Sequence, residues 1–177
     1  MTLRPTLASI EDLFHKAERE AYRAFHHPNR THKADHFFNF CVTAHALQDY
    51  FFERQGVPKN GRQPYYDQWN NNPVLVAVGE IANTSKHFVL RYSGGAPKVQ
   101  RTKRVRTTRN VVVDIFVTTK GEILSVPVRR PDVSVTPADD KPRQLYQFTE
   151  EVLKHWRTFL GTHGIRIRRQ SFRQLAG

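Results

Sequence analysis

Apolar residues recur at helical spacing most persistently over residues 34–54, where Phe37, Phe40, Cys41, Ala44, Leu47 and Phe51 form one broad stripe. Phe38, Val42 and Phe52 widen it toward a second side, which predicts a helix covered on more than one face. Asp35, His36, Asn39, Thr43, His45 and Asp49 are threaded through the same turns. An unpartnered buried polar group costs about 1–3 kcal/mol, so these residues either rim the helix at solvent or form a polar seam with another helix.

The flanking patterns supply the other elements. Ser9 reads as an N-cap with acids behind it, and Ile10, Leu13, Phe14, Ala17, Ala21 and Phe25 then mark an amphipathic helix that Pro28 closes. Tyr65 to Trp69 suggests a short helical turn. Asn72 followed by Pro73 predicts a further helix from Pro73 to about His87, its first half almost wholly apolar. Beyond Gly94 and Gly95 the period changes. Val111, Val113, Ile115 and Val117 alternate, Lys120-Gly121 supplies a turn, and residues 122–128 return, which predicts a β-hairpin whose Pro127 belongs on an edge strand. Residues 130–140 read as a proline-containing loop. Asp140 is the expected N-cap of a last helix, with Pro142 in its first turn, a stripe through Leu145, Phe148, Val152, Trp156 and Phe159, and Gly161 as its stop.

The predicted fold class is α+β: a bundle of about four helices around residues 34–54, with an inserted basic β-hairpin or small antiparallel sheet. One domain spans residues 1–177, with a helical part (5–92 and 140–162), a β part (98–130) and a basic tail (163–177). No secretory leader is evident, and no stretch approaches the length of a membrane span. The single cysteine, Cys41, excludes an internal disulfide and makes the reducing cytoplasm the default compartment. Its mid-helix place between Phe40 and Val42 reads as a buried structural thiol.

Charge sharpens the functional reading. The net charge is +12, yet residues 81–113 carry eight Lys or Arg and no acid, residues 152–177 carry six and no acid, and the remainder is slightly acidic. Localised positive charge points to a polyanionic partner, of which nucleic acid is the commonest. Lys98, Arg101, Lys103, Arg104, Arg106 and Arg109 ahead of the hairpin strands, with Arg166, Arg168 and Arg169 in the tail, are the expected phosphate contacts, which would position a strand without reading its sequence. A non-enzymatic module whose basic face meets an acidic protein is the alternative. No cofactor is implied. His32 and His36, four apart, have a spacing that can bind zinc with Asp35, His26 or His27, but the fixed companions of known zinc motifs are missing and no metal site is assigned.

The segments FNFCVTAHALQDYFF (residues 38–52) and EIANTSKHF (residues 80–88) resemble a family of short uncharacterised bacterial proteins, in which an F-N-F-x-V-T-A helix precedes an A-N-x-x-K-H helix. The resemblance covers roughly the first half of the chain and brings no established activity. It implies a pairing of Asn39 and Thr43 on one helix with Asn83, Lys86 and His87 on another. That set reads either as a polar layer fixing helix register or as a catalytic cluster. In the second case His87 would be the general acid or base of a metal-independent RNase, and Lys86 would stabilise charge on the phosphate. The pairs Arg19/His26, Arg30/His36 and Arg157/His163 have the Arg-to-His spacing of HEPN-class (higher eukaryotes and prokaryotes nucleotide-binding) RNases. About three such pairs arise by chance in a chain this rich in both residues, so the spacing adds no argument.

Overall fold

Ser9 begins the first helix, α1 (Ile10–His26), through a reciprocal box: its hydroxyl accepts from the Asp12 N–H at 3.1 Å, and its own N–H donates to the Asp12 carboxylate at 3.1 Å. The structure is a computed structural model that describes residues 7–84 and 101–170, save the side chains of residues 112, 114 and 116. The central helix is α2 (Arg30–Gln55), capped by Asn29, whose amide oxygen accepts from the N–H groups of Thr31 and His32. Its C-terminus turns at Gly56 with φ 63°, a left-handed conformation that a side chain would strain.

Three helices cover α2. On one side α1 runs antiparallel to it, with Lys16 donating to Thr43 at 2.7 Å and His36 bonded to Glu20 at 2.8 Å. On another lies α4 (Pro73–Thr84), where Gly79 lets the chain approach the His45 ring: a Cβ there would sit 3.3 Å from it. The third is α5 (Leu145–Thr162), which meets α2 through Phe37 with Phe148 and Phe51 with Phe159. Short α3 (Gln63–Asn70), which follows a 3₁₀ turn at Lys59–Gly61, inserts Trp69 between Phe51, Phe52 and Trp156 in mostly tilted and edge-to-face contacts. Burial on three sides explains why α2 carries apolar residues around so much of its circumference. One buried cluster draws on every α-helix, on β2 and on Ile165.

The sheet is small and antiparallel, in the order β1 (Arg104–Val117), β2 (Ile123–Thr136), β3 (Arg143–Gln144). Strands β1 and β2 form the anticipated hairpin, in register from Arg104 opposite Thr136 to Val117 opposite Ile123, and turn at Gly121 with φ 80°. Its base is anchored twice. Val133 and Val135 enter the core, and the buried Glu80 carboxylate accepts from the backbone N–H groups of Arg101 and Thr102 at 2.8 and 2.7 Å. The other half, residues 111–128, projects past the helices.

Two boundaries differ from the pattern. The loop expected over residues 130–140 is strand as far as Thr136, because Pro127 and Pro131 occupy positions whose nitrogen faces away from β1. The bond from Thr118 N to Glu122 O (2.9 Å) sets the even positions of β1 as the hydrogen-bonded pairs, so the odd positions, Pro127 and Pro131 opposite them, point outward. The last helix begins at Leu145 rather than near Asp140. Arg143 and Gln144 are held extended against Val135 and Ser134, and Asp140 itself turns with φ 59°. The N-cap at Asn72 is as expected, its amide oxygen accepting from the Val74 and Leu75 N–H groups.

Candidate nucleic-acid interface

Several acidic side chains have partners within the protein, while Asp35, Asp49, Glu53, Glu122 and Glu150 are exposed. Glu18, nearly buried, accepts from the Arg157 guanidinium and lies 2.9 Å from His15 Nδ1. Glu20 takes His36 and, more loosely, Arg23. Asp139 and Glu151 both hold Arg143 at 2.7–2.8 Å, and that guanidinium keeps the Asp139 carboxyl below its usual range. Glu80 serves the backbone, and Asp132 accepts from the Asn110 amide at 2.6 Å.

The expected phosphate contacts stand in contrast. Arg104, Arg106, Arg109, Arg166, Arg168 and Arg169 are all exposed and make no ion pair or side-chain hydrogen bond among the described residues. Arg101 is exposed too, with one bond to the Asn70 carbonyl at 3.2 Å. Lys103 lies 3.6 Å from Asp140, but both side chains are more than half exposed, so the pair contributes little. The structure divides these cations. Arg104 and Arg106 share a sheet face with Ser134 and Thr136, opposite in parity to the buried Val133 and Val135, and so point away from the helices. Arg109 has the other parity and is exposed because the hairpin leaves the body there. In the tail, after a turn at Gly164 (φ 79°), buried Ile165 and half-buried Ile167 alternate with exposed Arg166 and Arg168, so the isoleucines hold this segment against the body with its arginines outward.

Hairpin and tail meet at a groove that the sequence pattern does not announce. Two adjoining cavities, about 420 and 280 Å³, share Phe25 and His26 at the end of α1. The larger lies between α1 and α5, with Tyr22, Tyr146, Arg157 and Arg169 in its wall. The smaller lies beneath the hairpin, against Arg130, Val113 and Ile115. Phe25 and Tyr146 are 37% and 56% exposed with ring centroids 5.5 Å apart, so the groove presents aromatic faces to solvent. Burial, then the charges of Lys33 and Arg130, lower the His26 pKa, which keeps that ring neutral at pH 7. Lys33 is 2% exposed and donates to the carbonyls of Ala24 and Phe25 at 2.6 Å each, closing the C-terminus of α1. It is a helix cap, unavailable to a ligand. The sequence showed Phe25 only as the last member of a core stripe and Tyr146 not at all, since their proximity depends on the crossing of α1 and α5.

Of the other candidates, Lys86, His87 and Lys98 lie outside the described residues. Asn83 is half-buried on α4 and borders a cavity of about 290 Å³ with His45 and Asp49. Asn39 is exposed on α2 and does not line that cavity, while Thr43, one turn on, takes its hydrogen bond from Lys16 on α1. The polar partner of Thr43 is therefore α1 rather than α4. His36 is engaged by Glu20, the His32 ring lies tilted against His27 with centroids 4.8 Å apart, and among the described residues no three potential ligands converge as a metal site would need. Cys41 is fully buried, which pushes its thiol pKa far up and leaves it unreactive. Among the described residues no helix is long and apolar enough to cross a membrane. Comparison with protein-family models, with curated proteins and with solved structures finds no match to this chain.

Proposed function

We propose that this protein binds nucleic acid, with the exposed arginines of the hairpin base and tail taking phosphates. The observation that carries this reading is the uncompensated charge: six arginines in the hairpin and tail face solvent unpaired among the described residues, in stretches of the chain that hold no acid. Such cations release condensed counterions when they meet a phosphate backbone, which makes association favourable and salt-dependent. The groove adds a preference. Phe25 and Tyr146 offer the aromatic faces on which unpaired bases stack, and Arg169 flanks them, so a single strand suits the site better than a duplex.

Fluorescence anisotropy with labelled single- and double-stranded oligonucleotides across a salt series tests the proposal. The combined change Arg104→Glu, Arg106→Glu, Arg109→Glu should weaken binding at every sequence and flatten the dependence of log K on log salt by about two units. Tyr146→Ala should cost single-strand affinity by about 1–3 kcal/mol and leave duplex affinity nearly unchanged. Absence of binding at low salt would remove the reading. Stronger retention of an acidic polypeptide than of any oligonucleotide would favour the interaction-module alternative instead.

A further inference from the structure

Beyond the part of Val113 and Ile115 that walls the smaller cavity, the outer half of the hairpin has no place in the reading above. Over residues 111–128 its charged residues are one Lys, one Asp and one Glu, so the arm is almost neutral on a chain of net charge +12. Seven of its residues, Val111, Val113, Ile115, Val117, Ile123, Leu124 and Val126, are 44–71% exposed. By register Val111, Val113, Ile115, Val117 and Ile123 share one face and Leu124 and Val126 lie on the other, so the ribbon leaves apolar side chains open on both sides. A two-stranded ribbon is at best marginally stable in water, and three or more strands are needed to hold one.

The two edges of the ribbon are not equivalent. On β2 the outward-facing positions include Pro127 and Pro131, which offer no N–H to a neighbouring strand. On β1 the outward-facing positions are the odd ones, and from Arg104 to Val117 there is no proline among them. Among the described residues β1 pairs with β2 alone, so the N–H and C=O groups of Val111, Val113, Ile115 and Val117 meet no strand on the open side.

We propose that two copies of this chain associate through these open edges, β1 against β1 in antiparallel fashion, to give a continuous four-stranded arm. The occupant is a second copy for three reasons. Pairing brings the strand number past the threshold at which the ribbon is stable. A twofold axis at Ile115 sets that residue opposite its own mate and Val113 opposite Val117 of the other copy, so apolar meets apolar in the main-chain register. The near-neutral arm also lets two strongly basic bodies meet where their repulsion is least, whereas a nucleic acid would find a single cation there, Lys120.

Sedimentation velocity and light scattering on the full chain without oligonucleotide decide the matter independently of the nucleic-acid reading. The wild type should be a dimer at micromolar concentration. Ile115→Lys changes an exposed residue that sets two like charges opposite each other only in the dimer, and should raise the dissociation constant about tenfold or more with melting of the monomer unchanged. Val113→Pro removes an outward N–H while sparing the ladder to β2, and should act in the same direction. A wild type that is monomeric throughout the range, or a dimer untouched by Ile115→Lys, would overturn the proposal. Amide exchange gives a reading without mutation: protection at Val113 and Ile115 should fall on dilution, and protection independent of concentration counts against it.

Discussion

Asn72 and His155 show how one side chain's duty fixes another's protonation. The Asn72 amide oxygen is committed to the first turn of α4, which turns its NH₂ toward His155 Nδ1 at 3.2 Å. Nδ1 must therefore accept, and the ring must be neutral to do so. Burial also lowers the His155 pKa from its ordinary 6.5. Because the unfolded chain binds the proton more readily, stability is fullest above pH 6.5 and declines as pH falls through the folded pKa. His26, lowered chiefly by burial, adds a contribution of the same sign. Melting midpoints should drop between pH 7.5 and 5.5, and His155→Gln should shallow that drop; a midpoint that rises on acidification would contradict the assignment.

At the scale of elements, the sheet depends on a link between distant parts of the chain. Glu80 near the end of α4 clamps the backbone just before β1, and the hydrogen bonds of a buried carboxylate contribute roughly 1.5–3 kcal/mol each. Glu80→Ala should destabilise the fold by a few kcal/mol in chemical denaturation. It should also loosen the hairpin selectively, so limited proteolysis should cut near residues 101–104 before any helix is attacked. Uniform loss of protection across α1, α2 and the hairpin would mean that Glu80 supports the core as a whole. The last helix carries a related lesson: Asp140 has the chemistry of an N-cap, yet Arg143 and Gln144 complete the sheet first, so the helix starts later.

For the molecule as a whole, the sorting of charge matters more than its total. Glu18 and Glu20 lie in partly buried pairs that salt screens weakly, while the arginines of hairpin and tail repel one another in water. Raising the ionic strength from low to near-molar sodium chloride should therefore lift the melting midpoint by a few degrees in thermal scans. A falling midpoint would show that exposed ion pairs outweigh the repulsion.

Local pattern determined the helices, the caps at Ser9 and Asn72, the hairpin with its turn, and the segregation of basic charge, because each depends on residues within a few positions of one another. The side of each strand was legible too: Val111, Val113, Ile115 and Val117 do share a face. What lies over that face was not legible, since a period of two reports which residues point together and says nothing of what covers them. The same limit hid Lys33 as the cap of α1, Glu80 as the clamp on residues 101–102, and the meeting of Phe25 with Tyr146. Each joins atoms that only the packing of separate elements brings within reach, and there tertiary structure alone decides.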